Sequence, residues 1–322
     1  VASTDEAVTL QPGGPNAIAR MLGLLGDEWN LLIIQQALMG SSRYSHFMTR
    51  LPISNSVLTN RLRVLVDEEM LTRRMHESTR ARTEYLTTAR SRSLWPVLLS
   101  VWEWERTWVP GHAQQLPAMR HEDCGERFSP LLRCSGCRRP AGAGDVELTL
   151  GPSGQWVRSV PAAATRRRSD TDAATRQAGL FPETMSVLGN RWAAALLLAT
   201  FLGTSRFTDF QHQLGAPPSL LAERLQTFCG IGVLVSNAPA ERSGDERGAY
   251  LLTEKGRAFF PVMVTAMQWA QRWFPAPEGP ALKLIHQGCG MEFTGELTCD
   301  RCSASLNGAQ VTLSQAEVAG IP

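Results

Sequence analysis

Residues 26–44 read GDEWNLLIIQQALMGSSRY, and residues 189–207 read GNRWAAALLLATFLGTSRF. A glycine, a tryptophan three places on, an apolar stretch, a second glycine and an arginine followed by an aromatic residue recur in the same order, each 163 positions later. Leu51 and Leu62 continue the correspondence with Leu214 and Leu225. After a two-residue difference the offset becomes 165, and Tyr85-Leu86, Pro96, Trp104 and Trp108 return as Tyr250-Leu251, Pro261, Trp269 and Trp273. His121, Cys124, Cys134 and Cys137 return as His286, Cys289, Cys299 and Cys302, and Val146-x-Leu148 as Val311-x-Leu313. The 322 residues are therefore two copies of one module, each of about 130 to 160 residues, rather than a stacked array of short repeats.

Within copy one, Trp29, Leu32, Ile33, Ala37 and Leu38 recur at helical spacing, and Gly40 marks the stop. Ser45 is the expected N-cap of a short helix over 45–51 that ends before Pro52. Ser54 caps a third helix whose buried stripe is Val57, Leu58, Leu62, Leu65 and Val66. Two helices joined by the tight Pro52-Ile53-Ser54 turn form a helix-turn-helix pattern. Extended runs at 71–76 and 83–87 around a polar, arginine-bearing loop predict a hairpin. A last helix over 90–109 carries Leu94, Val97, Leu98, Val101, Trp102, Trp104 and Trp108, more apolar surface than one face can bury, so part of it should meet another domain or subunit.

The ordered motifs Gly26-Trp29, Gly40-Arg43-Tyr44, Ile53-Ser54, Leu58 to Leu71, Tyr85-Leu86-Thr87 and Pro96 to Trp104 resemble those of the HxlR-type winged-helix transcriptional regulators. Copy two repeats most of them in Gly189-Trp192, Gly203-Arg206-Phe207 and Tyr250-Leu251-Leu252-Thr253. The resemblance implies DNA-binding regulators that usually act as dimers, some of them responsive to small molecules or oxidants. The expected fold class is α+β, mainly helical, with two winged helix-turn-helix domains at 15–115 and 181–278. Each is followed by a small zinc-ribbon-like β segment, at 116–158 and 279–316. A linker at 159–180 contains Arg166-Arg167-Arg168.

In the third helix of copy one, Ser56, Thr59, Asn60 and Arg63 lie at i, i+3, i+4 and i+7, a polar stripe opposite the apolar one. Such a stripe on an isolated helix is most simply a solvated face. Behind a tight turn, before an arginine-bearing hairpin and together with the family resemblance, it becomes a candidate major-groove reader, since Asn and Arg match adenine and guanine edges. The DNA-binding set expected from this copy is Arg43, Arg50, Asn55, Ser56, Thr59, Asn60, Arg61, Arg63, Arg73, Arg74, Arg80 and Arg82. Net charge is only +2, but residues 43–92 hold ten arginines against five acids, whereas residues 206–257 hold six bases against six acids. Ser54, Asn55, Thr59, Asn60 and Arg63 become Pro217, Pro218, Ala222, Glu223 and Gln226 in copy two, and Gly230 and Gly232 replace Asp67 and Glu69. Glycine weakens helices, so the second reader helix is expected to be shorter or frayed.

Seven cysteines, three to each module, do not suit a disulfide framework. His-x2-Cys followed by Cys-x2-Cys supplies one nitrogen and three thiolates, the ligand set of a closed structural zinc site. The expectation is one zinc on His121, Cys124, Cys134 and Cys137 and another on His286, Cys289, Cys299 and Cys302, about two per chain. Reduced packing cysteines and a Cys-x2-Cys redox switch are the alternatives. Cys229, in the place of Val66, reads as a small apolar residue, and His46, His76, His112 and His212 show no ligand pattern.

No nucleotide loop, Ser/His/Asp set or paired-carboxylate constellation emerges, so no enzyme is expected. The longest apolar run, residues 192–202, is too short for a membrane span. The acidic start at Asp5-Glu6 lacks a signal pattern, which points to the cytoplasm. The sequence thus describes a cytoplasmic DNA-binding transcriptional regulator in which copy one is the main reader and copy two a degenerate dimer-building or ligand-responsive module. Its expected partners are double-stranded DNA, a second module in a homodimer or an intramolecular pseudo-dimer, and a small-molecule effector, with no membrane. The competing reading is a redox, metal or small-molecule sensor whose winged helices serve mainly for dimerisation.

Overall fold

In the computed structural model, which describes residues 6–76, 82–160, 181–237 and 248–313, the two copies build matching series of elements. Copy one runs α1 (Ala17–Leu24), α2 (Glu28–Leu38), α3 (Tyr44–Arg50), α4 (Asn55–Asp67), β1 (Leu71–His76), β2 (Arg82–Thr87), α5 (Ala89–Arg92), α6 (Trp95–Trp108) and α7 (His112–Gln115). Strands β3 (Met119–His121), β4 (Pro130–Cys134) and β5 (Val146–Leu150) and the short α8 (Trp156–Ser159) follow. Copy two supplies α9 (Pro182–Val187), α10 (Arg191–Phe201), α11 (Phe207–Leu214), α12 (Pro218–Gly230), β6 (Leu234–Ser236), β7 (Tyr250–Leu252), α13 (Glu254–Arg257) and α14 (Phe260–Trp273). It ends in β8 (Leu282–His286), β9 (Met291–Glu292), β10 (Gly295–Cys299) and β11 (Val311–Leu313). The fold is α+β and mainly helical, with two winged helix-turn-helix units each followed by a small β segment.

Local chemistry sets these bounds. The Asp27 carboxylate accepts from the Asn30 N–H at 3.1 Å to open α2, and Asn190 accepts from Trp192 N–H at 2.9 Å to open α10. Both helices stop at a glycine in the left-handed region, Gly40 at φ 92° and Gly203 at φ 93°. The α3 helix begins one residue earlier than its sequence suggests, with Arg43 as an N-cap that makes no side-chain bond, so Ser45 lies inside the helix and caps nothing. The single helix expected over 90–109 is two, because Pro96 fits only the first turn of α6, where its missing N–H costs no bond. Pro261 does the same for α14.

The expectation of a shortened second reader helix is overturned, for α4 and α12 each have 13 residues. Gly230 is the last residue of α12, and Gly232 lies beyond it at φ 74°, where copy one places Glu69 at φ 53°. Glycine is the better residue there, because a side chain is strained at positive φ. The N-terminus differs in the opposite sense: Ser54 caps α4 through the Val57 N–H at 3.4 Å, while α12 opens on prolines without a side-chain cap.

The copies face each other across an internal pseudo-dyad. Strands β4 and β10 pair antiparallel with Leu132 opposite Leu297, Cys134 opposite Gly295 and Pro130 opposite Cys299, so each residue meets its counterpart's mirror position. Asp27 bridges Asn190, its own counterpart, and marks a second point on the axis. Here Gly26 and Gly189 allow the backbones to approach: a Cβ on Gly26 would sit 2.9 Å from Arg191 Cα, and one on Gly189 3.1 Å from Glu28 Cβ. The α6 and α14 helices pack together with reciprocal bonds, Trp104 Nε1 donating to the Lys255 carbonyl at 3.0 Å and Trp269 Nε1 to the Arg90 carbonyl at 2.9 Å. Trp104 and Trp269 are both buried, which accounts for the apolar surplus of the last helix.

The β segments are not two self-contained ribbons. Strand β3 pairs with β11, β5 with β8 and β4 with β10, each pair joining one copy to the other. Each segment is too small to bury a core alone, and exchange lets Leu132, Val146, Leu284 and Leu297 join a core continuous with the helices.

Candidate nucleic-acid interface and metal clusters

On α4, Leu58, Leu62 and Leu65 point into the core, and Asn55, Ser56, Thr59, Asn60 and Arg63 are exposed. The stripe is partly preorganised. Asn60 Oδ1 accepts from the Arg63 guanidinium at 2.9 Å, and the Tyr44 hydroxyl on α3 bonds Asn55 Oδ1 at 3.0 Å and lies 3.3 Å from Thr59 Oγ1. Tyr44 was not among the expected site residues. Its signal lies in the duplication, since copy two has Phe207 there and no hydroxyl.

The arginines divide. Arg73 is exposed on β1, and Arg50, also exposed, donates to Ser41 Oγ at 2.9 Å. Arg74 and Arg43 share the Glu84 carboxylate at 3.1 and 3.6 Å. Arg61 turns away from the stripe to bind Asp27 at 2.6 Å beside the dyad, so it braces the copy interface. Arg90 is buried, donating to the Glu68 carbonyl at 2.7 Å and to Glu69 at 3.0 Å, with its guanidinium over the Trp273 and Phe274 rings. Burial holds its pKa below the usual arginine value, partly offset by Glu69. The basic excess of copy one is thus smaller at the surface than in the sequence. Arg82 belongs to β2, and Arg80 lies outside the described residues, as do Arg166, Arg167 and Arg168.

In copy two the buried stripe is kept as Leu221, Leu225 and Phe228, while Pro217, Pro218, Ser219, Glu223 and Gln226 are exposed and Ala222 is half-buried. The scaffold is conserved between the copies and the outer face is rewritten.

The eight predicted ligands come together, but in different sets from those the sequence suggests. One cluster is His121, Cys124, Cys299 and Cys302, the other Cys134, Cys137, His286 and Cys289, and the ligand atoms of each lie within 4.8 Å of one another. Each cluster joins a His-x2-Cys turn from one copy to a Cys-x2-Cys turn from the other. Pairing of β4 with β10 causes this, because it carries each copy's Cys-x2-Cys turn past the dyad. His121 Nδ1 lies 3.4 Å from both Cys124 Sγ and Cys302 Sγ, and Cys124 Sγ lies 3.9 Å from Cys299 Sγ. His286 Nδ1 lies 3.2 Å from Cys289 Sγ and 3.3 Å from Cys137 Sγ. A tetrahedral zinc with bonds of about 2.3 Å to sulfur and about 2.0 Å to nitrogen spaces its ligands by roughly 3.5 to 3.8 Å, close to these edges. Phe128 and Phe293 pack on the two imidazoles at ring distances of 5.8 and 5.9 Å. Hydrogen bonding from the Arg139 backbone lowers the Cys137 thiol to about 6, and the Ala304 backbone lowers its counterpart Cys302. Burial pushes Cys299 up to about 11. Cys229 stands apart, half-buried with its thiol raised by burial.

Two further features lack a sequence signal. Glu105 is fully buried, accepts from the Thr184 N–H at 2.8 Å and faces His112 Nδ1 at 2.8 Å, tying α6 and α7 to α9. Burial raises its pKa. A cavity of about 280 Å³ is lined by Ala17, Ser153, Gln271, Phe274 and Pro280 among others, none of them charged. Among the described residues, no helix is long and apolar enough to cross a membrane.

Residues 24–113 and 187–278 each match the HxlR-like helix-turn-helix family. The HTH-type transcriptional regulator Rv3095 of Mycobacterium tuberculosis is 36% identical over 128 residues, which cover 40% of this chain and 80% of that protein. Mb3122 of Mycobacterium bovis, also an HTH-type transcriptional regulator, matches with the same identity and coverage. YvaP of Bacillus subtilis, another HTH-type transcriptional regulator, is 33% identical over 91 residues, covering 28% of this chain and 84% of its own.

Proposed function

The chain belongs to the HxlR-like helix-turn-helix family, and from that premise we propose that it is a cytoplasmic transcriptional regulator in which copy one reads double-stranded DNA and copy two completes the scaffold. The observation that carries this is the exposed stripe of Ser56, Thr59, Asn60 and Arg63 on a helix whose other face is locked in the core. Asn60 and Arg63 offer the donor and acceptor geometry that matches adenine and guanine edges in a major groove. Arg73 and Arg50 neutralise phosphates and set register, and Arg43 and Arg74 do so by exchanging Glu84 for phosphate. Arg61 has no part in DNA contact, because it is committed to Asp27. Copy two presents Glu223, which repels phosphate, and its reader helix opens on two prolines that have no N–H to offer an anion.

The same proposal assigns one structural zinc to each mixed cluster, about two per chain, with three thiolates and one imidazole closing a tetrahedron. Four protein ligands leave no open position, so the ion would supply cross-linking rather than chemistry. The chain's own residues orient it: backbone N–H groups of Arg139 and Ala304 stabilise the thiolates, and the phenylalanines hold the imidazoles.

Capture of genomic fragments by the purified chain at rising salt tests the DNA reading. Retention of a restricted set of fragments, lost steeply as salt rises, is expected from phosphate contacts. Absence of retention even at low salt contradicts it and favours the sensor reading.

A further inference from the structure

We infer that this chain reads, as a single polypeptide, a DNA site that lacks inverted-repeat symmetry. The inference rests on the DNA-binding reading above and adds the class of site. Symmetric helix-turn-helix dimers present the same recognition helix twice, so their sites are palindromic. Three observations separate this chain from that arrangement.

The pairing surface is used inside the chain. Leu132 meets Leu297, Asp27 meets Asn190, and the Trp104 and Trp269 indoles exchange bonds with the opposite copy. These are self-complementary contacts of the kind a two-fold dimer makes between subunits, and here one chain satisfies both sides. Rv3095 is matched over 80% of its length by only 40% of this chain, so that relative has the length of one copy.

The two recognition helices are equal as scaffolds. Both have 13 residues, and Leu58, Leu62 and Leu65 correspond to the buried Leu221, Leu225 and Phe228. Copy two has therefore kept the side that folds and changed the side that faces outward.

The outward sides differ in chemistry. Thr59, Asn60 and Arg63 stand where Ala222, Glu223 and Gln226 stand in copy two. Asn and Arg favour adenine and guanine, whereas in copy two Glu accepts from the amino groups of cytosine or adenine while repelling phosphate, Gln pairs with adenine but carries no charge, and Ala offers no hydrogen bond. Copy one therefore specifies a half-site strongly, and copy two faces a half of different and weaker sequence preference.

The test is selection from a randomised duplex library spanning about three helical turns, using the full chain purified without chelator, and with the stoichiometry of bound duplexes measured by sedimentation. One well-defined half-site without an inverted copy, bound by one chain per duplex, is expected. Arg63→Ala should lower affinity for the selected site about 5- to 150-fold and relax preference at the base it reads. The triple variant Ala222→Thr, Glu223→Asn, Gln226→Arg, which leaves the buried Leu221, Leu225 and Phe228 in place, should convert the selected site to an inverted repeat. An inverted repeat selected by the unaltered chain, or two chains per duplex, overturns the inference while leaving DNA binding intact. Selection of no sequence, with no duplex held at low salt, overturns the DNA-binding reading and this inference with it.

Discussion

The α4 and α12 helices share a length, a buried stripe and a place beside the same dyad, yet only α4 carries an exposed Asn-Arg stripe. Their inner faces are constrained by the same core, and changing them costs stability. Their outer faces answer only to what they touch. A duplicated chain therefore records in one molecule which residues serve the scaffold and which are open to serve recognition on the proposed reading. Changes to the scaffold should affect both copies alike, and changes to the outer face should affect copy one alone.

The largest symmetric effect is expected from metal removal. Structural zinc contributes apparent binding energies on the order of 10 kcal/mol to small folds. Chelation should loosen β3, β4, β8 and β10 together while most of the helical core persists, as hydrogen exchange would report. Loosening confined to one copy's strands would break the comparison.

Next come the paired tryptophans. Trp104→Glu and Trp269→Glu each bury a carboxylate and remove an indole bond to the opposite copy, and each should cost about 3 to 5 kcal/mol or more in urea unfolding. Similar losses sharpen the two-fold account, whereas a near-neutral result at either position contradicts it.

Recognition should show the asymmetry. Arg63→Ala is expected to weaken binding to a selected site by about 1 to 3 kcal/mol, and Gln226→Ala by less than about 0.5 kcal/mol, without change in thermal stability. Equal losses measured by fluorescence anisotropy would show copy two to be an equal reader. Among the copy-one substitutions the smallest effect belongs to Tyr44→Phe, which makes copy one resemble copy two at this position. Losing the hydroxyl's bonds to Asn55 should cost about 0.5 to 1.5 kcal/mol of affinity, and an unchanged affinity would remove Tyr44 from the site.

Much of this was legible in the sequence because it is written in local spacing. Gly40 and Gly203 stop their helices, Ser54 caps α4, and the 58/62/65 spacing gives the buried stripe. That these eight His and Cys residues belong together as candidate ligands was legible too, since a two-residue gap is the spacing of metal-binding turns. Which turn joins which was not. The spacing is identical in both copies and carries no information on long-range pairing, which is decided by β4 crossing to β10. Gly232 misled for a related reason: a helical penalty was assigned to a residue that lies past the helix at φ 74°. Arg61 looked like one more basic residue until its turn toward Asp27 was seen, a contact set by the packing of α4 on α2. Counting charge along a chain cannot reveal which cations are already paired.

Each copy completes the other's His-Cys cluster, and paired serine substitutions read by metal content test this most directly. Cys124→Ser with Cys134→Ser touches only copy one but strikes both mixed clusters, whereas Cys124→Ser with Cys299→Ser touches both copies but strikes one. Elemental analysis should find both ions, about two per chain in the unaltered protein, lost from the first variant and one ion kept by the second. The reverse result, one ion kept by the first variant and none by the second, would mean that each copy closes its own site and that the crossed β segments are wrong.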